Sequence, residues 1–443
     1  MRSAILTLLI MLFLSFFPSV SGSETFSAAD IPEMRLLLEK AISNSLIEGG
    51  VVVTGNHRGI LTTTARGKLV KEGVETPING KTIFDVASLT KVIATAPAIM
   101  KLAEEGSISL LDPIARWFPE FRGSGREDMT ILNLLTHTSG LRDMEVGEGG
   151  NLSFFIQRVA SQKFLPFHSS TFKYADVNYM ILGELVRRVT GKALDIYAAD
   201  KIYCPLQMAE TSFLPSPSNS LMIAPTSSNY QAGVVQDENA RRLGGVAGHA
   251  GLFSTADDLA IFGRLFLNKG RINEMQILES ETVRQMTIPY ACNNGAVRRG
   301  LGWDIDSSFS APKWGAFSES SYGHTGYSGS SIWIDPERDF FVIFLSVRTN
   351  YRDKKLFSQL RNDISVAAAL NYGDAGQSIP DSVRIEALPL PPHSRQGIIE
   401  AQQHLKRMNG KIQARHKLTG KTRKLAKAPG SHRNRAKKRI LES

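Results

Sequence analysis

The chain has 443 residues, 42% hydrophobic and 21% charged. That is enough apolar material for a true core, and it excludes a fibrous or wholly disordered protein. The formal charge of +10 is unevenly spread: residues 404–443 hold fourteen Lys or Arg against one acid, Glu442, which leaves −3 on the preceding 403 residues. The body is therefore near neutral, and its composition does not mark a nucleic-acid-binding surface.

The first element is a targeting segment. Arg2 is followed by an apolar run from Ala4 to Phe17, then Pro18 and the small residues Ser19 to Ser23. This is the layout of a signal peptide over residues 1–23. The run is shorter than the roughly 20 residues that span a bilayer, and an uncleaved membrane anchor is the alternative. The expected location is exported, periplasmic or secreted. Export would meet an oxidising compartment, and two cysteines, Cys204 and Cys292, leave one disulfide open.

Pro32 to Glu48 shows apolar residues at helical spacing. Gly49 to Gly67 holds two β-branched runs around a turn-like Asn56-His57-Arg58-Gly59, the pattern of a hairpin. Helices are expected over 88–105, 130–136, 152–161, 176–190, 193–202 and 256–268. Strands return at Ser328–Pro336 and Asp339–Val347, and a last helix covers Lys354 to Leu370. The fold class is α/β (α+β). Segments 24–87 and 295–375 form one antiparallel sheet flanked by terminal helices, and 88–294 is an inserted, mainly helical domain. Residues 376–403 read as a Pro-rich linker and 404–443 as a basic disordered tail.

The chemistry starts at Phe84-Asp-Val-Ala-Ser-Leu-Thr-Lys91. Ser-x-x-Lys places a hydroxyl and an amine one turn apart on a helix face. A serine is a weak nucleophile until a base takes its proton, and a lysine serves if burial makes it partly neutral. The motif occurs three times, at Ser88–Lys91, Ser170–Lys173 and Ser310–Lys313. The third contains Pro312 and the second precedes any helix, so only the first opens a helical pattern. A plain N-cap is the competing reading of Ser88. No Gly-x-Ser-x-Gly and no His-Glu-x-x-His occurs.

Two later stretches complete a site. In Phe172-Lys-Tyr-Ala-Asp176, Tyr174 precedes a helix and offers a phenol as proton shuttle. In Tyr322-Gly-His-Thr-Gly-Tyr327, a small-residue strand carries His324, Thr325 and Gly326. The N–H groups of Ser88 and Tyr327 are expected to form an oxyanion hole. His137 and Ser139, in Leu134-Leu-Thr-His-Thr-Ser-Gly-Leu141, read as a structural turn. His249 lies in a glycine-rich loop within reach of the cleft or serves only to order that loop.

Ser88-x-x-Lys91, Tyr174-x-Asp176 and His324-Thr325-Gly326, in that order, resemble the serine penicillin-recognising family of D,D-peptidases, class C β-lactamases and related esterases and amidases. The likeness spans roughly residues 32–370. It implies that Ser88 is the nucleophile, that Lys91 and Tyr174 move protons, and that Asp176, His324, Thr325 and Gly326 bind substrate, without metal or cofactor. Asp176 stands where the β-lactamase pattern has Asn, and His324 where it has Lys. An ionised Asp only accepts hydrogen bonds, and His is not a fixed cation. The resemblance therefore implies an exported serine hydrolase acting on a cell-wall peptide, muropeptide or ester, with a β-lactamase or broad esterase as alternatives. A catalytically silent wall-binding protein is the reading from another class. The basic tail suits an anionic wall polymer or a membrane surface, while export argues against nucleic acid.

Overall fold

The computed structural model describes residues 30–162, 171–219, 221–227, 230–307, 316–349, 351, 353–373 and 388–389. The expected leader over 1–23, most of the linker and the basic tail lie outside these residues, as do Ser170, Ser310 and Lys313.

The strands are β1 (Gly49–Gly55), β2 (Ile60–Lys71), β3 (Val74–Pro77), β4 (Phe84–Asp85), β5 (Ser212–Phe213), β6 (Leu252–Ser254), β7 (Arg271–Ile272), β8 (Met275–Gln276), β9 (Tyr290–Cys292), β10 (Val297–Arg299), β11 (Asp304–Asp306), β12 (Tyr322–Thr325), β13 (Ser331–Asp335), β14 (Phe340–Val347) and β15 (Leu388–Pro389). Ten of them make one sheet in the order β15-β9-β10-β11-β12-β13-β14-β1-β2-β3. The hairpin β1–β2 pairs Gly49 with Gly67, and β1 pairs antiparallel with β14, Val52 opposite Phe344. That pairing joins the two ends of the described chain. β15 pairs in parallel with β9, at the sheet edge where a proline is tolerated. It falls inside the segment expected as linker, and β9 lies ahead of the expected boundary at 295.

β14 is buried along its whole length because both faces of the sheet are covered. Side chains alternate with period two. Phe341, Ile343 and Leu345 join the core shared with the middle of the chain. Phe340, Val342 and Phe344 pack on Met34, Leu38, Phe357 and Ile364 from the terminal helices Pro32–Ser43 and Lys354–Gly373. We propose the two-part division, sheet and helical insert, on this packing.

The middle is mainly helical, with helices at Ala96–Glu104, Ile131–Leu135, Leu152–Ala160, Asp176–Thr190, Leu194–Ala198 and Ala256–Leu267 close to their expected places. Among the described residues the short helices Cys204–Leu206, Glu238–Arg242 and Ser280–Thr287 escaped the sequence reading. Glu238–Arg242 is five mostly polar residues, and Ser280–Thr287 has only Val283 and Met286 as large apolar residues, too few to stand out in the sequence. A small sheet, β4-β6-β5, ties this part to Phe84–Asp85 just ahead of it. Cys204 and Cys292 are both free thiols, one exposed and one buried. No helix among the described residues is long and apolar enough to cross a membrane.

Candidate active site

β4 delivers the chain to Ala87, which holds a left-handed φ of +46° unusual for a residue with a Cβ. Asp85 enforces the bend: its Oδ1 accepts the Ala87 N–H at 2.7 Å and its Oδ2 the Gln236 N–H at 2.7 Å. A three-ten turn Ala87–Leu89 follows. Its first internal donor is the Leu89 N–H, which reaches Val86 O, so the Ser88 N–H has no place in the helix ladder. Ser88 thus opens the helix without acting as a side-chain cap.

The expected straight helix over 88–105 is not observed. Lys91–Thr95 is a π-helical turn, with the Ala96 N–H bonded to Lys91 O, and only Ala96–Glu104 is α-helical. Pro97 explains this in part: it has no N–H for Ile93 O, and Tyr203 Oη reaches that carbonyl at 3.5 Å instead. Thr95 Oγ1 donates to Gly248 O at 2.6 Å and anchors the turn to the glycine-rich loop.

Lys91 is fully buried. Its Nζ donates to Ser88 Oγ at 2.9 Å and to His249 O at 2.9 Å, and lies 2.7 Å from Asp176 Oδ1. Tyr174 stands within hydrogen-bonding reach of both Ser88 and Lys91. Burial works against the charge on Lys91, but the carboxylate of Asp176, then Tyr174, outweigh it and hold the amine above its ordinary range. Asp176 in turn is raised by burial and lowered by Lys91 and His249, with a net shift below the carboxylate range. The resting pair is Lys91 cation and Asp176 anion. This corrects the expectation of a partly neutral lysine: burial alone would give one, and the Asp beside it reverses the sign.

The opposite wall comes from β12 and the loop after it. Ser88, Tyr174, His324, Thr325, Gly326 and Tyr327 line one cavity of about 270 Å³. Ser88, Tyr174, Asp176 and Tyr327 also line a second, polar cavity of about 520 Å³ on the other side. All the site residues expected from sequence therefore meet around one serine, with Lys91 behind it. Gly326 is needed for this approach, since a Cβ there would lie 2.5 Å from Val86 O and 2.1 Å from Ser330 Oγ. Ser328 Oγ donates to Asp85 O at 2.6 Å and Ser330 Oγ to Val86 O at 2.8 Å. These bonds fix the register between the Ser88 turn and the Tyr327 loop.

His324 is buried, its Nδ1 2.9 Å from Thr325 O. Burial, then Arg299 and Lys91, push it well below its ordinary range, so it is neutral. The first cavity's positive charge comes instead from residues the sequence reading missed. Arg348 Nη1 donates to Tyr327 O at 3.2 Å, and Arg361 Nη1 to Gly326 O at 3.1 Å. Burial, then Arg348, lower Arg361 to about 10, so it remains charged at neutral pH. Lys354 lines the same cavity. Among the described residues, no carboxylate forms an ion pair with Arg348, Lys354 or Arg361. Arg299, at another side of the cavity, is 3.3 Å from Asp304. Nothing local marks Arg348 and Arg361 in the sequence; they are far from the motifs and arrive by the fold.

His249 does not enter the cleft. Its Nε2 is 2.8 Å from Asp237 Oδ1, and it is almost wholly buried. Thr255 caps the helix Ala256–Leu267 by accepting the Asp258 N–H. Among the described residues no three His, Cys, Asp or Glu side chains converge as a metal site.

This constellation on this fold defines a class, and comparison with known proteins agrees. The Beta-lactamase family profile matches residues 39–363, and the chain belongs to that family. It is a serine hydrolase of the family. It is 29% identical over 374 residues to an N-acetylmuramyl-L-alanine amidase of Bacillus subtilis, spanning 74% of this chain and 84% of that one. It is 32% identical over 314 residues to an Escherichia coli K12 protein provisionally named D-alanyl-D-alanine carboxypeptidase, spanning 62% and 71%. Among solved structures, a penicillin-binding protein homologue from Caulobacter crescentus shares the fold at a TM-score of 0.62 and 17% identity, over 77% of this chain and 99% of that one.

Proposed function

We propose that the protein is an exported hydrolase that opens an amide or ester in a cell-wall peptide or muropeptide through an acyl-enzyme on Ser88. The relatives' names support the substrate class. The observation that carries the reading is the pair of unlike cavities beside Ser88, one walled by Arg348, Lys354 and Arg361. A peptide whose leaving side bears a carboxylate supplies the anion that this wall lacks.

In this reading Ser88 Oγ attacks the carbonyl carbon, and the N–H groups of Ser88 and Tyr327 receive the oxyanion. The hydroxyl proton passes to Lys91, which gives one to Asp176 as it does so. Tyr174 protonates the departing nitrogen or oxygen and is refilled from the Lys91–Asp176 pair. Water then attacks the ester, its proton returns by the same route, and Ser88 and a carboxylic acid are released. Asp176 serves the lysine here, and has no N–H for a substrate amide carbonyl. That disfavours a dedicated β-lactamase.

The test is a panel of D-Ala-D-Ala peptides, muropeptides, a short neutral ester and a chromogenic β-lactam, assayed with the parent and Ser88→Ala. The expected result is Ser88-dependent turnover, with the anionic wall substrates leading in kcat/KM. Turnover of the β-lactam above all others would overturn the substrate assignment. Ser88-independent turnover would overturn the mechanism.

A further inference from the structure

His137 follows the short helix Ile131–Leu135 and looks at first like part of its closing turn. Its backbone is held at φ +55°, in the left-handed region that histidine enters more readily than most residues with a Cβ. The result is that one residue grips the segment around Tyr174 in three ways. His137 O accepts the Lys173 N–H at 2.9 Å. His137 Nδ1 accepts the Ala175 N–H at 3.2 Å. Between these two bonds the imidazole stacks on the Tyr174 ring, with centroids 4.4 Å apart and 25° between planes.

The ring is itself locked. Asn178 Nδ2 lies 3.1 Å from the same Nδ1, and Asn178 Oδ1 accepts Ser139 Oγ–H at 2.5 Å. A backbone N–H can only donate, so Nδ1 must carry its lone pair and the ring proton sits on Nε2. Tyr179 and Phe172 pack on the imidazole from two further sides. The groups that act on its charge from neighbouring elements are Arg299, Lys91 and His324, and with burial they hold it neutral. A neutral, wholly buried imidazole with one nitrogen committed to two donors is a poor proton carrier and a good platform.

We propose that His137 is a positioning residue for Tyr174, holding residues 173–175 so that the phenol oxygen stays on Ser88 and Lys91. The proposal rests on the reading of Tyr174 as the proton shuttle. A phenol displaced by about 1 Å would cost on the order of 100-fold in rate while leaving substrate binding largely alone.

The experiment is a double-mutant cycle on a neutral chromogenic ester, with Tyr174→Phe and His137→Asn. Asn tolerates the left-handed backbone and keeps an oxygen for the Ala175 N–H, but removes the ring. Expected is a fall in kcat of roughly 30–100-fold for His137→Asn with KM within about twofold. In the Tyr174→Phe background the same change costs less than about threefold, because no phenol remains to misplace. Equal losses in both backgrounds would overturn the proposal, since they describe a residue that acts on folding or on something other than the phenol. A fully active Tyr174→Phe would overturn the shuttle itself and is read from the single variant alone. Should His137→Asn fail to fold, ¹⁵N-histidine NMR of the parent decides. A neutral Nε2–H ring that does not titrate between pH 5 and 9 supports the proposal, and titration in that range overturns it.

Discussion

Two clusters of charge beside Ser88 differ in their partners, Lys91–Asp176 on the helical wall and Arg348 with Arg361 on the sheet wall. On the helical wall the cation nearest Ser88 has its partner: Lys91 lies 2.7 Å from Asp176, and His249 Nε2 meets Asp237 behind it. On the sheet wall Arg348 and Arg361 donate to the carbonyls of Tyr327 and Gly326, and no carboxylate neutralises them among the described residues. In the proposed mechanism the paired charge of Lys91 and Asp176 carries the proton traffic. An unpaired, buried guanidinium is held at an energetic cost and is repaid when an anion arrives. Arg348 Nε and Nη2 are buried without hydrogen-bond partners, which fits a wall left incomplete until substrate binds. In the proposed function, the first cluster moves protons and the second selects the substrate.

The largest expected effect breaks the helical wall. Asp176→Asn removes the anion that holds Lys91 charged, so burial prevails and the amine drops towards neutrality. We expect kcat/KM to fall about 30–100-fold. The acid limb of the pH–rate profile should move to higher pH, because the form that works then needs a neutral lysine rather than an ionised aspartate. Stability should fall too. The raised Lys91 value contributes stability that is complete below the ordinary lysine range and lost as pH rises past the folded value, so at pH 7 the variant forfeits about 2–3 kcal/mol. Rate profiles and urea melts check both. An unmoved acid limb would mean that Asp176 does not govern Lys91.

A smaller effect is expected from the sheet wall. Arg361→Gln should lower kcat/KM for a carboxylate-bearing peptide about 10–30-fold and leave a neutral ester within about threefold. The parent's preference for the anionic peptide should shrink with added salt, and the variant's should not. Equal losses on both substrates would assign Arg361 to holding the Gly326 carbonyl instead of reading charge.

The smallest effect belongs to Asp85, at the junction of the walls. Burial, offset by the Gln236 and Ala87 N–H groups, raises it to about 6. A carboxyl raised in the folded state adds stability that is full below the ordinary value and lost as pH rises through about 6. Melting temperature should therefore decline by several degrees between pH 4.5 and 7, and the decline should shrink in Asp85→Asn. A parallel decline in both would place the titration elsewhere.

Much of this was legible in the sequence, and for identifiable reasons. The hairpin β1–β2 announces itself by β-branched runs around Asn56-His57-Arg58-Gly59. The helix Asp176–Thr190 announces itself by period, and its end by Gly191 at φ +75°. Ser88, Tyr174 and His324 to Tyr327 converge as their order suggested. What the sequence could not supply was sign and distance. The ionisation of Lys91 depends on an oxygen 2.7 Å away, contributed by a residue 85 positions later. Arg348 and Arg361 carry no local motif, and the fold alone turns them into a wall. His137 read as a turn because its neighbours describe a helix end. Only its stack on Tyr174 distinguishes it. The π-helical turn Lys91–Thr95 had a visible cause, Pro97, within a pattern that otherwise reads as plain helix.

The central claim is that Ser88 carries the acyl group. Incubating the protein with a fluorophosphonate probe or a fluorescent penicillin, then mapping the modified peptide by mass spectrometry, tests it directly. The account predicts one adduct, on Ser88, and none in Ser88→Ala. Label that survives in Ser88→Ala, or that maps to another residue, would contradict it.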